Sequence, residues 1–157
     1  TMLGLDATEA VGFPRTVRGE VVPTDAEWVD TVAGLRDDLR SLREHAGRPV
    51  DVLAAVGDPL LIGATGLILQ LAARRTPMLL AGLGALACAS VARRAAPAAF
   101  TWWQIADTVD DPLHAKLVEN AGLTPVLAHR AGADPLLGGR VALGVLETAA
   151  ALVRTGE

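Results

Sequence analysis

The segment TPMLLAGLGALACASVARRAAPAAFTWW, residues 76–103, contains two short apolar runs separated by a glycine pair and a helical stretch. A continuous apolar run that ends at glycine or proline is typical of a strand buried on both faces. The pattern predicts strands over Pro77–Ala81 and Ala98–Trp103, joined by a helix from Gly82 to about Ala96. A strand, a crossover helix and a second strand in this order form a right-handed unit with parallel strands.

The same alternation continues on both sides of this unit. The further predicted elements are a strand over 50–56, a helix over 59–75, a helix over 111–120, a strand over 124–128 and a helix over 136–155. Alternating strands and helices predict an α/β fold, in which a Rossmann-like parallel sheet of about four strands is covered by helices on both faces.

The N-terminal residues have a different pattern. Gly4, Gly12, Pro14, Gly19 and Pro23 interrupt any long element, so residues 1–23 are predicted to form an irregular arm without a secretory leader. The sequence T-D-A-E at 24–27 is a capping box that opens a helix running to about residue 46. Residues 24–157 are therefore predicted to form a single α/β domain.

Composition excludes several classes of function. The formal net charge is −4 with no basic block, so a nucleic-acid partner has no electrostatic support. Cys88 is the only cysteine, which excludes an internal disulfide and favours a cytoplasmic location. The uncharged runs 60–73 and 76–92 are read as core elements rather than membrane spans, because the first is short and the second contains Pro77 and glycines.

In an open parallel sheet, ligands bind at the carboxyl ends of the strands. Polar or glycine-rich residues follow each predicted strand, so they are expected to lie at one edge of the sheet. These strand ends are Gly57-Asp58-Pro59, Ala81 to Gly84, Trp102 to Asp111, and His129 to Asp134.

Two of these strand ends allow a functional and a structural interpretation. The G-x-G-x-x-A spacing from Gly82 is that of a dinucleotide-binding turn, although such spacing arises easily in a chain rich in Ala and Gly. Asp107, Asp110, Asp111 and His114 suit a metal or acid–base chemistry, but they also suit a loop, a helix cap and a surface histidine. No metal is expected. Trp103 either stacks on a planar base or belongs to the core.

Longer stretches resemble a known family. Residues 50–82, 111–127 ("DPLHAKLVENAGLTPVL") and 138–153 ("GGRVALGVLETAAALV") are similar in order and spacing to the nicotinate-nucleotide:dimethylbenzimidazole phosphoribosyltransferases of cobalamin lower-ligand assembly. Residues 25–42 are similar to the helix that precedes these segments in that family. The resemblance covers about residues 25–155, roughly half the family's length.

The resemblance implies a Rossmann-like sheet, a dimer and a reaction. Family members transfer phosphoribose from nicotinate mononucleotide to a benzimidazole nitrogen, with a glutamate as general base and no cofactor or obligatory metal. In this chain that glutamate falls on Pro135, so the neighbouring Asp134 is the candidate catalytic residue. The resemblance and the strand ends together give the candidate ligand-binding residues Gly57, Asp58, Gly82, Gly84, Trp103, Asp107, Asp111, His114 and Gly138.

Three hypotheses follow. The chain is a phosphoribosyltransferase, acting as a homo-oligomer or with a partner chain that supplies the missing half. Alternatively, it is a catalytically inactive relative that serves as a binding or assembly subunit. The third hypothesis is a dinucleotide-binding module, which rests on Gly82 and Gly84.

Overall fold

The computed structural model describes residues 5–17, 20–129 and 134–155. The chain groups into two compact units, Thr1–Asp58 and Pro59–Glu157. This division differs from the predicted single domain over 24–157, because the segment 24–58 groups with the N-terminal residues.

The first unit is mainly helical. Where the sequence predicts an irregular arm, the structure has a short helix and a two-stranded antiparallel hairpin. The elements of this unit are α1 (Ala7–Val11), β1 (Arg15–Val17), β2 (Glu20–Val22), α2 (Asp25–Ser41), a 3-10 turn (Arg43–His45) and α3 (Pro49–Val56).

Helix α2 begins at the predicted capping box. The Thr24 side chain accepts a hydrogen bond from the Glu27 amide, and the Thr24 amide donates to the Glu27 carboxylate at 2.9 Å. Trp28, in the first turn, donates from Nε1 to the Gly12 carbonyl at 2.6 Å and stacks on Phe13 with ring centroids 5.9 Å apart. These contacts hold the segment after α1 against α2.

The predicted strand over 50–56 is wrong, because this segment is helix α3. Pro49 occupies the first turn, where its missing N–H costs nothing, and Gly57 ends the helix in the left-handed conformation with φ 69°. Val50 and Val56 are exposed, so the apolar run is not buried on both faces as a central strand would be.

The second unit contains the parallel strands. Its elements are α4 (Pro59–Ala73), β3 (Met78–Leu80), α5 (Gly82–Ala95), a 3-10 helix (Pro97–Trp102), β4 (Trp103–Ile105), α6 (Pro112–Ala121) and α7 (Pro135–Thr155). Strands β3 and β4 pair in parallel, with Met78 opposite Trp103 and Leu80 opposite Ile105. The central βαβ unit of the prediction is therefore confirmed.

The sheet is smaller than predicted, however. Most of the predicted strand over 98–103 is 3-10 helix, and β4 begins only at Trp103. The predicted strand over 124–128 is not a strand in the structure, although its backbone makes two hydrogen bonds to the end of β4, from the Val126 amide to the Ile105 carbonyl at 2.8 Å and from the Leu127 amide to the Ala106 carbonyl at 2.9 Å. Among the described residues, the protein is mostly helical with a two-stranded parallel sheet.

Small side chains build the core of the second unit around α5. Cys88, Ala89 and Ala92 of this helix are buried, and their small size lets α4 and α6 pack closely on either side. Only the start of α7 joins this core, through Gly138 and Ala142. By length and composition alone, the segment Leu136–Thr155 of α7 would be enough to cross a membrane.

Candidate functional site

A buried carboxylate lies just beyond the carboxyl end of β4. Asp107 is only 5% exposed, and its Oδ1 accepts hydrogen bonds from the amides of Thr108 at 2.8 Å and His129 at 2.9 Å. One carboxylate thus connects the end of β4 to the segment that follows Val126 and Leu127. Charge-assisted bonds of this kind are stronger than neutral ones, so they fix the two segments firmly.

The first turns of α7 pack against both strand ends. A Cβ added at Gly138 would lie 2.9 Å from Asp107 Cβ and 3.1 Å from Asp107 Oδ2. A Cβ added at Gly139 would lie 3.1 Å from the Cβ of Ala81, which follows β3. The glycine pair therefore allows the α7 backbone to approach the carboxyl ends of β3 and β4.

His114 is completely buried on α6, contrary to its interpretation as a surface histidine. Its Nδ1 accepts a hydrogen bond from the Val109 amide at 3.4 Å, which assigns the proton of the neutral ring to Nε2. Burial lowers the pKa of His114, and the nearby charges of Asp111 and Asp107 oppose this shift. The ring is consequently neutral near pH 7, and its buried Nε2 has no hydrogen-bond partner among the described residues.

Asp111 is the N-cap of α6, where the sequence allows either Asp110 or Asp111 as the cap. Its carboxylate accepts a hydrogen bond from the His114 amide at 2.8 Å, and Pro112 fills the first helical position. The cap fixes the direction in which His114 enters the interior. Asp107, Asp111 and His114 thus share one small region at the end of β4.

Asp134, the candidate general base, lies at the start of α7. Its Oδ1 accepts a hydrogen bond from the Leu136 amide at 2.9 Å, and its carbonyl accepts from the Leu137 amide. The side chain is exposed, so it is accessible to solvent while it caps the helix. Asp134 and Gly138 lie within the first turns of one helix, and Gly138 contacts the Asp107 side chain.

The glycines after β3 have the strand–turn–helix context of a dinucleotide site. Gly82 begins α5 with φ 80°, which a side chain would strain, whereas Gly84 is exposed with open space above it. The acidic residue that follows β4 in the structure is Asp107, but its buried carboxylate already holds two backbone amides. It is therefore poorly placed to bind a ribose.

Trp103 lies at the opposite end of β4 from Asp107. Its side chain is buried and meets the Phe100 ring edge-on at 5.8 Å. The residue begins the strand rather than ending it, because the preceding residues form the 3-10 helix. The core interpretation of Trp103 matches this position, and nothing in its described surroundings favours base stacking.

Gly57 and Asp58 belong to the first unit, at the end of α3. Both are exposed, and Gly57 adopts the left-handed conformation that ends the helix. They are therefore part of a different unit from the residues around Asp107. Within the described residues there is no group of three or more His, Cys, Asp or Glu side chains that could hold a metal ion.

Three further contributors to this region lie in predicted strand ends but are not among the candidate site residues. Thr108 and His129 supply the amides that Asp107 binds, and the Thr108 hydroxyl is buried without a hydrogen-bond partner in the described part of the chain. The Ala81 side chain lies close to the backbone of Gly139. Backbone amides leave no signal in a sequence, but the glycine pair at 138–139 does indicate close backbone approach.

Comparisons with known proteins agree on one family. A family model described as Phosphoribosyltransferase (DBI_PRT) matches residues 1–156. A nicotinate-nucleotide–dimethylbenzimidazole phosphoribosyltransferase of Streptomyces avermitilis is 36% identical over 151 residues, which are 96% of this chain and 39% of that protein. The enzyme of that name from Mycobacterium tuberculosis is 37% identical over 127 residues, or 81% of this chain and 35% of that protein.

The fold is similar to a solved structure of the same description. The crystal structure of nicotinate-nucleotide-dimethylbenzimidazole phosphoribosyltransferase from Thermus thermophilus superimposes with a TM-score of 0.78 at 24% identity, covering 94% of this chain and 41% of that one. The chain spans about two-fifths of the length of such relatives. It belongs to the DBI_PRT phosphoribosyltransferase family, whose model matches it over residues 1–156.

Proposed function

We propose that this chain contributes to phosphoribosyl transfer from nicotinate mononucleotide to a benzimidazole-type base, together with polypeptide that supplies the rest of the family fold. The observation that carries the proposal is the family match over residues 1–156. It is supported by the position of Asp107, Asp111 and His114 (the Asp107 cluster) at the end of β4, because ligands of open parallel sheets bind at the carboxyl ends of strands.

In the proposed reaction, the unprotonated ring nitrogen of the base attacks the anomeric carbon of the ribose. The bond from this carbon to the pyridinium nitrogen breaks, and nicotinate leaves with the electron pair. Asp134 accepts the proton from the second nitrogen of the base, which a general base must do within hydrogen-bond reach. The backbone held by Asp107 and the glycines at 138–139 positions the start of α7 for this step.

The proposal includes further polypeptide because the chain spans only part of the length of its relatives. The Streptomyces avermitilis protein has 61% of its length outside the match, since 39% is covered. The exposed apolar residues of α7, among them Leu152 and Val153, are surfaces that such polypeptide would bury. A homo-oligomer would bury the same surfaces without supplying the unmatched part.

Nicotinate release measures the proposed reaction directly. The chain is purified alone and after co-expression with the part of the Streptomyces avermitilis relative that it does not match, and each sample receives nicotinate mononucleotide and dimethylbenzimidazole. We expect nicotinate only from the co-expressed sample, and much less of it when the chain carries Asp134→Asn. Full activity of the chain alone would refute the requirement for further polypeptide.

A non-catalytic role is the second candidate. It is favoured by the observation that the Asp134 carboxylate already caps the start of α7. The family resemblance also predicts that the glutamate position is Pro135 in this chain. In that role the co-expressed pair forms a stable complex but releases no nicotinate, and calorimetry detects no binding of nicotinate mononucleotide. Binding of the nucleotide by the complex, weakened by changes around Asp107, would exclude this role.

A further inference from the structure

The first unit contains a cleft between α1 and α2, remote in sequence from the residues discussed above. It encloses about 610 Å³, within the range typical of small-ligand sites. Arg36, Arg40 and Arg43 line it. Their spacing of four and three residues places all three on one side of α2 and the 3-10 turn that follows.

Positive charge in this cleft is only partly compensated. Arg40 pairs with Asp37 at 3.1 Å, but both side chains are largely exposed, so the pair is weak. Among the residues that the structure describes, neither Arg36 nor Arg43 forms an ion pair. Like charges at this spacing on a helix repel each other, and a bound anion would relieve the repulsion.

The acidic residue at the cleft is already engaged. The Asp6 carboxylate accepts a hydrogen bond from the Glu9 amide at 2.7 Å, and the Glu9 side chain accepts from the Asp6 amide at 3.1 Å. This capping box directs the Asp6 carboxylate to the start of α1. The Asp6 carboxylate keeps its charge, but the cleft is lined by three arginines and one aspartate, so positive charge predominates.

The cleft also has an apolar part. Leu5 and Leu39 line it and are half-buried, so each offers a hydrocarbon surface next to the guanidinium groups. Guanidinium groups bind phosphate through paired, charge-assisted hydrogen bonds. We infer that this cleft binds a phosphate monoester whose alcohol part is a compact apolar or aromatic group.

This inference is independent of the proposed phosphoribosyl transfer. Every residue that lines the cleft lies between Leu5 and Ala46, in the first unit, and none was assigned a part in that reaction. Loss of the transferase activity would leave the cleft intact, and loss of the cleft would leave the Asp107 cluster intact.

Calorimetric titration with phenyl phosphate tests the inference. We expect phenyl phosphate to bind more tightly than inorganic phosphate, because only the ester reaches the leucines. Arg36→Ala and Arg43→Ala should each weaken binding about tenfold, as expected for loss of a charge-assisted hydrogen bond. Raising the salt concentration should weaken binding by the native chain, since the cleft is open to solvent.

Arg48→Ala is the matched control. Arg48 lies in the same unit and pairs with Asp51 at 2.8 Å, but it does not line the cleft, so its loss changes the net charge equally and should leave binding unchanged. Circular dichroism of each variant verifies that it is folded. The inference is overturned if phenyl phosphate does not bind the native chain, if it binds no better than inorganic phosphate, or if the cleft variants bind like the control.

Discussion

Asp107 holds two backbone segments together at the end of β4. The identity of the residue alone does not predict these contacts. The sequence predicts a polar residue there, and the strand context correctly indicates that it lies near a carboxyl end. What the sequence does not show is that its Oδ1 binds the amides of Thr108 and His129, which are 21 residues apart in the chain. Such bonds depend on where segments meet after folding, so residue type alone cannot predict them.

His114 should make stability depend on pH. Burial lowers its pKa in the folded chain below the usual value of 6.5, so the unfolded chain binds a proton that the folded chain does not. The free energy of unfolding should therefore fall as pH is lowered through about 6.5 towards the folded value. His114→Asn keeps an acceptor for the Val109 amide and should flatten this dependence in denaturant titrations from pH 7.5 to 5.5.

The exposed His129 provides the control for this measurement. Its described hydrogen bond uses the backbone amide, so His129→Asn should keep the pH dependence of the native chain. If the free energy of unfolding of His114→Asn depends on pH as steeply as that of the native chain, or if both variants lose this dependence equally, another group is responsible.

Asp134 combines two roles that substitutions can separate. Asn caps helices about as well as Asp but cannot accept a proton, so Asp134→Asn should preserve the melting temperature and reduce nicotinate release by about 10²–10⁴-fold. Asp134→Ala should lose the cap as well, at a cost of about 1 kcal/mol in the free energy of unfolding. Retention of full activity in Asp134→Asn would exclude Asp134 as the base.

At the scale of elements, the sequence predicts the helices better than the strands. The helices that end at Ala73 and Ala121 and the βαβ unit match their patterns. The strand prediction over 50–56 is wrong because a short apolar run suits a strand or a helix equally, and the flanking Pro49 and Gly57 are the better indicators. The predicted strand over 98–103 is mostly wrong for a similar reason, since the apolar residues 97–102 form a 3-10 helix.

Substitution by alanine at two glycines of α7 should change the free energy of unfolding in opposite directions. Gly138→Ala places a Cβ 2.9 Å from Asp107 Cβ, so it should lower the free energy of unfolding by about 1–3 kcal/mol. Gly144→Ala meets nothing within 4 Å and should raise it by about 0.5–1 kcal/mol through helix propensity. Chemical denaturation of both variants measures the difference, and equal effects would contradict the packing of α7 on Asp107.

At the scale of the whole molecule, α7 carries many of the exposed apolar side chains in the described part of the chain. Arg140, Glu147 and Arg154 follow each other at intervals of seven residues, so they form one charged side of the helix. Leu152 and Val153, at 67% and 72% exposed, lie off this side. A one-sided helix of this kind suits packing against protein better than crossing a membrane, which favours apolar residues all round.

Changes on the apolar side of α7 should alter the behaviour of the isolated chain. Leu152→Glu and Val153→Lys should reduce both self-association in light scattering and binding of a dye that reports exposed apolar surface. Arg154→Gln, on the charged side, should leave both readings close to those of the native chain. Equal readings from all three variants would show that α7 does not govern association.

The sequence predicts only part of the candidate site, because the rest depends on how the elements come together in the whole molecule. Asp107, Asp111, His114 and Gly138 do lie together, because each follows a strand or begins a helix at the same end of the β3–β4 pair. Trp103 does not join them, because β4 begins rather than ends there. Gly57 and Asp58 belong to the first unit. Local sequence patterns do not predict which residues of separate units come together.

The ligand site at the carboxyl end of β4 is tested most directly by nuclear magnetic resonance. The ¹⁵N-labelled chain, co-expressed with the unmatched part of the Streptomyces avermitilis relative, is titrated with nicotinate mononucleotide while the backbone amides are followed. We predict shifts concentrated at Thr108, His129 and Gly138, around the Asp107 carboxylate, that are absent in Gly138→Ala. Saturating nucleotide that leaves these amides unmoved, or moves only amides elsewhere in the chain, would contradict a ligand site at this strand end.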